Sequence, residues 1–287
     1  MKRLMVGLVP RKLVVRLLPG CVLLLGWACG GTPGSEDAGQ VGLDLTTYRM
    51  VDLSHAYNAS TLYWPTSTER FALKQQAFGT TPGGWFYAAN SISTPEHGGT
   101  HLDAPIHFAQ DRNFADQIPL EKLIAPAVVI DVSAQASSNP DYRLSPEDVL
   151  AFEQQHGRIE PGTIVLLRTG WSRFWPNAKQ YLGDDSPGDA SRLHFPSFGE
   201  AAVRLLVAER QVAALGADVA SIDYGASQDF IVHRIANEAN VPGFENLTNL
   251  QELPARGAVV IALPMKIERG SGAPLRAVAL VRRAVQP

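Results

Sequence analysis

Four short apolar runs recur along the chain after residue 120, and each is bounded by proline, glycine or serine. They cover residues 127–132, 163–169, 257–263 and 277–281 and are rich in β-branched residues. This composition is typical of strands, and apolar residues on both faces are typical of the central strands of a sheet. The pattern therefore predicts four buried strands.

Two helices have clear start signals. In Ser145-Pro-Glu-Asp148 a capping serine precedes a proline in the first turn and two acidic residues, and Gly157 marks the end. Ser197-Phe-Gly-Glu200 has the spacing of a capping box, which predicts a helix over 201–209.

Strands that alternate with such helices indicate an α/β fold, and we find no second linker within residues 46–287. We therefore expect a single domain over this range. Residues 171–196 are rich in proline and glycine and predict a long loop with a role at the surface.

The first 45 residues have a different composition. Basic residues precede a short apolar run at 17–26, which predicts a signal peptide over 1–28. Cys29 and the Gly-rich residues up to 45 resemble the lipidation site and tether of a bacterial lipoprotein, although Cys21 is a competing match. We expect an exported protein, periplasmic or at the cell surface, that meets a membrane only through a possible lipid on Cys29. Secretion with cleavage near Ala28 is the alternative.

Charge and cysteine content exclude several classes of function. The chain has 25 basic and 28 acidic side chains, so it has no excess positive charge for a nucleic-acid partner. Cys21 and Cys29 are its only cysteines, so the domain has neither a disulfide nor a thiolate nucleophile. Gly-x-Ser-x-Gly and Gly-x-x-x-x-Gly-Lys motifs are absent, which argues against a serine hydrolase and a P-loop enzyme.

Three of the seven histidines cluster with an aspartate within eleven residues, at His97, His101, Asp103 and His107. Two glycines and a proline inside this segment disfavour a helix, so we predict a loop that runs into extended backbone. Side chains alternate in extended backbone, so His101 and Asp103 point the same way. The glycines allow His97 to fold back towards them.

Imidazole and carboxylate groups together suit Zn²⁺, Mn²⁺ or Fe²⁺, and a site with three protein ligands leaves a position open for water. The sequence therefore predicts a catalytic metal site. The alternative is that these histidines only form local hydrogen bonds in loops.

The segment also resembles a family signature. It reads His97-Gly-Gly-Thr-His101-Leu-Asp103-Ala-Pro-Ile-His107-Phe. This is similar to the His-x-Gly-Thr-His-x-Asp-x-Pro-x-His-Phe motif of the cyclase family of metal-dependent hydrolases, which includes bacterial kynurenine formamidases and isatin hydrolases. The resemblance implies that His97, His101 and Asp103 bind metal and that His107 is the catalytic acid and base.

The resemblance covers about residues 50–283 and implies a second ligand pair, His233 and Glu245, with Asp103 bridging two metals. The implied cofactor is Zn²⁺ or Mn²⁺, one or two per subunit. The implied fold is a swivelling β/β/α domain with a mixed sheet, and the implied assembly is a homodimer or homotetramer.

We therefore expect hydrolysis of a C–N amide bond in a small aromatic substrate, as in kynurenine formamidase (arylformamidase). The alternatives are a cyclic amide or lactone substrate, as in isatin hydrolases, and a surface lipoprotein that only binds metal. His107 argues against the binder, which needs no proton shuttle.

Other residues are further candidates for the site. Trp64, Trp85 and Phe86 flank the signature and are candidates to line an aromatic pocket. Asp223 at a strand end is a candidate to orient a ligand histidine, with a plain turn as the alternative, and Glu238 is a further candidate. We expect the remaining histidines, which are His55, His156 and His194, to have structural or solvent-facing roles.

Overall fold

The computed structural model describes residues 44–283, whose main feature is a mixed sheet of eight strands. The strands in chain order are β1 (Tyr48–Asp52), β2 (Ala72–Thr80), β3 (Phe86–Ser93), β4 (His101–Asp103), β5 (Ile124–Asp131), β6 (Arg143–Leu144), β7 (Ile164–Arg168), β8 (Ser197–Phe198), β9 (Ala214–Ala217), β10 (Gly243–Glu245), β11 (Arg256–Pro264) and β12 (Gly272–Arg282). The four predicted strands correspond to β5, β7, β11 and β12.

The sheet closes on itself at one end. Its strand order is β1-β12-β11-β5-β7-β9-β10-β4, and β4 also pairs with β12. β5, β7, β9 and β10 are mutually parallel, whereas β11, β12, β1 and β4 join antiparallel. This confirms the predicted α/β fold with a mixed sheet and gives it a barrel-like form.

Between residues 44 and 283, five α-helices accompany the sheet: α1 (Ser133–Ser138), α2 (Pro146–His156), α3 (Ala178–Leu182), α4 (Glu200–Arg204) and α5 (Ile231–Glu238). The predicted start and end of α2 are confirmed, because Ser145 accepts from the backbone of Asp148 and Gly157 follows the last turn. The predicted capping box at Ser197 is wrong. Ser197 lies in β8, where its hydroxyl donates to backbone carbonyls, and Gly199 precedes α4 without a side-chain cap.

Residues 171–196 differ from the predicted surface loop. Trp171, Tyr181, Leu182, Leu193 and Phe195 are all buried in the hydrophobic core. The reason is that this segment packs over the sheet next to the site, because burial removes its apolar side chains from water. Proline and glycine content indicated irregular backbone but did not reveal that the segment packs inwards.

Two hydrophobic cores flank the sheet. One fills the closed barrel-like side and includes Val51, Leu102 and Phe244. The other lies between β5, β7 and β9 and the helices, where Phe152 of α2 and Val203 of α4 pack. Side chains on one strand alternate between these two cores.

Strands β2 and β3 are not part of this sheet, and within the described residues they pair only with each other, in a two-stranded ribbon. Within residues 44–283 no helix is both long and apolar enough to span a bilayer. The predicted signal peptide, tether and lipidation of Cys29 lie outside the described residues and stay predictions.

Candidate metal centre

The register of β4 and β10 brings two regions that are far apart in sequence into one site. Glu245 lies directly opposite His101, and Gly243 lies opposite Asp103. Leu102 and Phe244, which alternate with them, point into the barrel core. The polar members of both strands therefore share the other face.

Two glycines fold the segment before β4 back onto it. Gly99 has φ of 59°, and a Cβ there would lie 2.6 Å from the Tyr57 ring. Gly98 has φ of 150°, and a Cβ there would lie 2.1 Å from Tyr63. Any larger residue would be strained and would clash, so these positions require glycine. As predicted, the turn carries His97 towards Asp103.

His97 is held from both sides. Its Nδ1 lies 2.5 Å from Asp103 Oδ1, and its Nε2 lies 2.9 Å from Ser271 Oγ. The Ser271 hydroxyl in turn donates to Glu96 at 2.6 Å. Because that serine proton is already used, Ser271 accepts from His97 Nε2–H, which leaves the Nδ1 lone pair facing Asp103.

His101 and His233 have the same arrangement. His101 Nδ1 donates to the Gly99 carbonyl at 3.0 Å, and its Nε2 lies 3.2 Å from Asp103 and 3.4 Å from Glu245. His233 Nδ1 donates to Asp223 at 2.7 Å, and its Nε2 lies 3.1 Å from both Asp103 and Glu245. Each ring therefore has one nitrogen fixed from outside and directs the other at two carboxylates.

The electrostatics of this cluster favour added positive charge. Burial alone would raise the pKa of Asp103, but the neighbouring imidazoles outweigh it and hold that pKa well below its usual range. Burial and the Asp103 charge both raise the pKa of Glu245. Burial alone would lower the pKa of His101, but Asp103 and Glu245 raise it to about 9. The carboxylates similarly outweigh burial and raise the pKa of His233.

Two sets of three ligand atoms lie close enough for one ion each. The atoms of His97, Asp103 and His107 all lie within 4.8 Å of one another, and so do those of His101, Asp103 and Glu245. Asp103 belongs to both sets. These donors suit Zn²⁺ or Mn²⁺, and the fixed outer nitrogens are typical of metal-binding histidines, so the residues fit a divalent metal.

His107 lies at the end of a single 3₁₀ turn that follows β4. Its ring stacks on that of His97 with 3.9 Å between centroids. Burial is the main cause that lowers its pKa, and although Asp103 opposes this, the pKa falls to about 3. The imidazole is therefore neutral at neutral pH and can accept a proton. Its position allows either a ligand or a proton carrier.

A cavity of about 230 Å³ opens onto these groups. Its walls are mainly apolar and aromatic, and they include Trp64, as predicted, together with Tyr63, Phe108, Leu182 and Phe230. Trp85 and Phe86 do not line the cavity of their own chain, because they belong to the exposed ribbon of β2 and β3.

Of the remaining candidates from the sequence, one contacts the cluster and the others lie away from it. Asp223 is buried and lies on His233, in the position predicted for an orienting group. Glu238 lies at the exposed end of α5, away from the cluster. His194 is exposed and pairs with Asp141, His156 ends α2, and His55 stacks on Trp175 with 4.3 Å between centroids.

Sequence reasoning missed the support for His97. Ser271 is 174 residues away from it in the chain, and no motif surrounds it. Glu96 adjoins the signature, and an acidic residue at that place was the one available signal. The cavity residues Leu182 and Phe230 were also missed, because aromatic and aliphatic residues are far more common in cores than in pockets.

Comparison with known proteins places this geometry in context. The Cyclase family profile matches residues 51–224. An isatin hydrolase of Roseibium aggregatum is 36% identical over 209 residues, which is 70% of this chain and 78% of that protein. A kynurenine formamidase of Salinibacter ruber is 27% identical over 80% of this chain and 96% of that protein. Isatin hydrolase A from Ralstonia solanacearum superposes with a TM-score of 0.76 and 36% identity, covering 89% of this chain and all of that structure.

Proposed function

The chain belongs to the Cyclase family, and from that premise we propose that it is a metal-dependent hydrolase that cleaves a C–N amide bond in a small aromatic substrate. Its relatives include an isatin hydrolase and a kynurenine formamidase, and both names describe hydrolysis of such a bond outside peptides.

One observation carries the proposal. Each of His97, His101 and His233 is fixed through one ring nitrogen and points the other at Asp103. A purely structural histidine is satisfied by one or two partners and has no reason to share a carboxylate with two others. The shared centre is what a divalent cation requires.

We propose that His97, His101, Asp103, His233 and Glu245 would hold divalent metal, one or two ions per subunit. Zn²⁺ and Mn²⁺ fit this mixture of imidazole and carboxylate. When bound, such a metal acts as a Lewis acid that polarises a carbonyl and activates water.

His107 performs the proton transfer in this proposal. Burial keeps the imidazole neutral at neutral pH, so a ring nitrogen has a lone pair that takes a proton from the attacking water. The same nitrogen then delivers that proton to the leaving nitrogen as the C–N bond breaks. The products are a carboxylate and an amine.

The cavity limits the size and chemistry of the substrate. Pockets for drug-sized ligands are roughly 300–1,000 Å³, so a cavity of about 230 Å³ suits a smaller molecule. Trp64, Phe108 and Phe230 supply aromatic surface next to the cluster, where a flat ring can pack. An aryl formamide, as in kynurenine formamidase, meets both conditions.

A cyclic aromatic amide is the second candidate. The observation that favours it is the higher identity to isatin hydrolase, 36% against 27% for the kynurenine formamidase. Opening of a ring amide needs the same proton transfer, but the amine stays attached to the product.

A substrate panel tests the proposal. The protein loaded with Zn²⁺ or Mn²⁺ is assayed against an aryl formamide, an aromatic lactam and an aromatic lactone, with His107→Ala as the matched control. We expect turnover of at least one amide and a preference for amides over the lactone. Metal binding without turnover of any of the three would support the non-catalytic binder and contradict the proposal.

A further inference from the structure

Asn246 directly follows Glu245 in the chain and lies in the wall of the cavity. The residue is only 4% exposed. Its backbone has φ of 53°, in the left-handed region that asparagine adopts more readily than most residues. Its side-chain amide is therefore a polar group buried beside the groups that react.

Three hydrogen bonds from three different segments fix Asn246. Its backbone N–H donates to the Val219 carbonyl at 2.8 Å, and its own carbonyl accepts from the Thr100 hydroxyl at 2.7 Å. The buried Tyr181 hydroxyl donates to the side-chain Oδ1 at 3.0 Å. The orientation of the amide group is therefore set before any substrate binds.

The nitrogen of the same amide is left without a partner. Nδ2 carries two N–H donors, and it makes no hydrogen bond within residues 44–283. It is also not one of the fully buried polar atoms of this range that lack a partner, so it keeps contact with accessible space. Because Asn246 lines the cavity, that space is the cavity. A fixed and unused donor therefore faces the place where a substrate would lie.

We propose that Asn246 is a catalytic residue whose Nδ2–H donates to the carbonyl oxygen of the scissile amide. This inference rests on the proposed function and adds a residue to it. Hydrogen-bond donors that face the oxygen on which negative charge develops stabilise the transition state of acyl transfer, and asparagine side chains serve as such donors. A donor that is fixed in advance needs no reorganisation when the charge appears.

The negative charge appears when water attacks. A C–O bond forms, the π electron pair of the carbonyl moves onto its oxygen, and His107 takes the proton of the water. When the electron pair returns, the C=O bond re-forms, the C–N bond breaks, and the nitrogen leaves with the proton from His107. Asn246 transfers no proton and donates most strongly while the oxygen is negative. Its contribution is therefore larger in the transition state than with the neutral substrate.

Two substitutions remove this donor in different ways. Asn246→Asp keeps the shape and an acceptor oxygen for Tyr181 but adds a charge, whereas Asn246→Gly adds no charge and tolerates the left-handed backbone. With the metal-loaded proteins and the amide that the wild type hydrolyses best, we expect kcat to fall about 10²–10³-fold in both variants, with a much smaller change in KM. Metal content should equal that of the wild type.

Asn249 offers matched controls for both substitutions. It also has a left-handed backbone, with φ of 58°, but its Nδ2 donates to the Asp52 carbonyl and it is not part of the cavity wall. Asn249→Asp and Asn249→Gly should therefore keep the wild-type kcat.

Ligand binding tests the donor without any turnover. Phenylphosphonate carries tetrahedral, anionic oxygens on an aromatic ring, as the attacked carbonyl does, whereas aniline has the ring without oxygen. Calorimetric titration of the metal-loaded proteins should show that Asn246→Gly binds phenylphosphonate about 10–100-fold more weakly, the range for a hydrogen bond to a charged group. Aniline should bind as in the wild type.

Three results would overturn the inference. They are wild-type kcat and phenylphosphonate affinity in both Asn246 variants, an equal loss of affinity for phenylphosphonate and aniline, and loss of metal from both variants. A wild type that hydrolyses no amide would contradict the proposed function alone, and the phenylphosphonate titration would still decide the role of Asn246.

Discussion

Two buried ionic clusters in this molecule differ in how the charge of their carboxylates is neutralised. In the first, the Arg210 side chain is only 4% exposed and makes a bidentate pair with Glu153, with N–O distances of 2.8 and 2.9 Å. The guanidinium is a permanent cation, and Glu209 adds a second, more exposed carboxylate at 3.1 Å. This cluster is complete within the chain.

The second cluster, around Asp103, has no permanent cation of this kind. Asp103 and Glu245 are buried carboxylates, and no lysine or arginine is among the residues that line the cavity beside them. Apart from the Ile222 backbone N–H, which donates to Glu245 at 2.9 Å, their partners are imidazoles, and the two carboxylates raise the pKa of His101 and His233. The comparison teaches that a buried cluster of carboxylates without a lysine or arginine is a binding site for a cation. A cluster whose charge is neutralised by an arginine serves instead to stabilise the fold.

The largest expected effect tests the cluster around Asp103. His107→Ala should keep near-normal metal content, because all proposed ligands survive, and should lose about 10²–10⁴ in turnover, the usual scale for a general acid or base. Elemental analysis and steady-state kinetics of the same preparation measure both. A variant that loses its metal would make His107 a ligand instead.

Removal of the Glu153 carboxylate tests the structural role of the cluster around Arg210. Glu153→Ala leaves Arg210 buried without its main partner, so we expect a loss of about 3–5 kcal/mol in the free energy of unfolding. Metal content per folded chain should not change. Denaturant unfolding gives the stability, with Glu209→Ala as the control because that carboxylate is 65% exposed and should cost much less. Equal losses of stability in both variants would contradict the claim that Glu153 is the main partner of the buried Arg210.

Asp223 links the site to the fold, and its removal should have an intermediate effect. Asp223→Ala frees the outer nitrogen of His233, so metal affinity should fall about 10–100-fold. Asp223→Asn retains an acceptor oxygen and should fall less. Competition with a chromogenic chelator measures the dissociation constants. Wild-type affinity in the alanine variant would show that the 2.7 Å contact does not support a ligand.

The smallest effect concerns a histidine outside both clusters. Burial lowers the pKa of His55 to about 4, against about 6.5 in an unfolded chain. Below pH 6.5 the unfolded chain therefore binds a proton that the folded chain does not, and stability falls as the pH falls towards 4. His55→Phe keeps an aromatic ring for stacking on Trp175 but cannot titrate. Its melting temperature should drop less than that of the wild type between pH 6.5 and 4, and identical drops would contradict the assignment.

The sequence predicted the parts of the molecule that local chemistry determines. The cluster from His97 to His107 and the cap of α2 lie within short segments, so spacing and residue type were sufficient. The pairing of Glu245 with His101 depends on a strand register between segments 144 residues apart in sequence, which no local pattern contains. The family resemblance implied Glu245 only as the partner of His233, and the contact with His101 was not predicted.

The errors have the same origin. The capping box at Ser197 has the correct residue types, but a short strand competes for that backbone and Gly199 precedes the helix instead. Trp85 and Phe86 adjoin the signature in sequence, yet the ribbon carries them away from the cavity. In each case tertiary pairing overrides a local signal.

The measurement that tests the central claim most directly is metal content against turnover. Wild type and His101→Ala are analysed for bound metal, and turnover is followed through chelation and re-addition of Zn²⁺ or Mn²⁺. We predict that wild-type turnover disappears with the metal and returns with it, and that His101→Ala lacks both metal and activity. Full wild-type turnover with no bound metal in excess chelator would contradict the account.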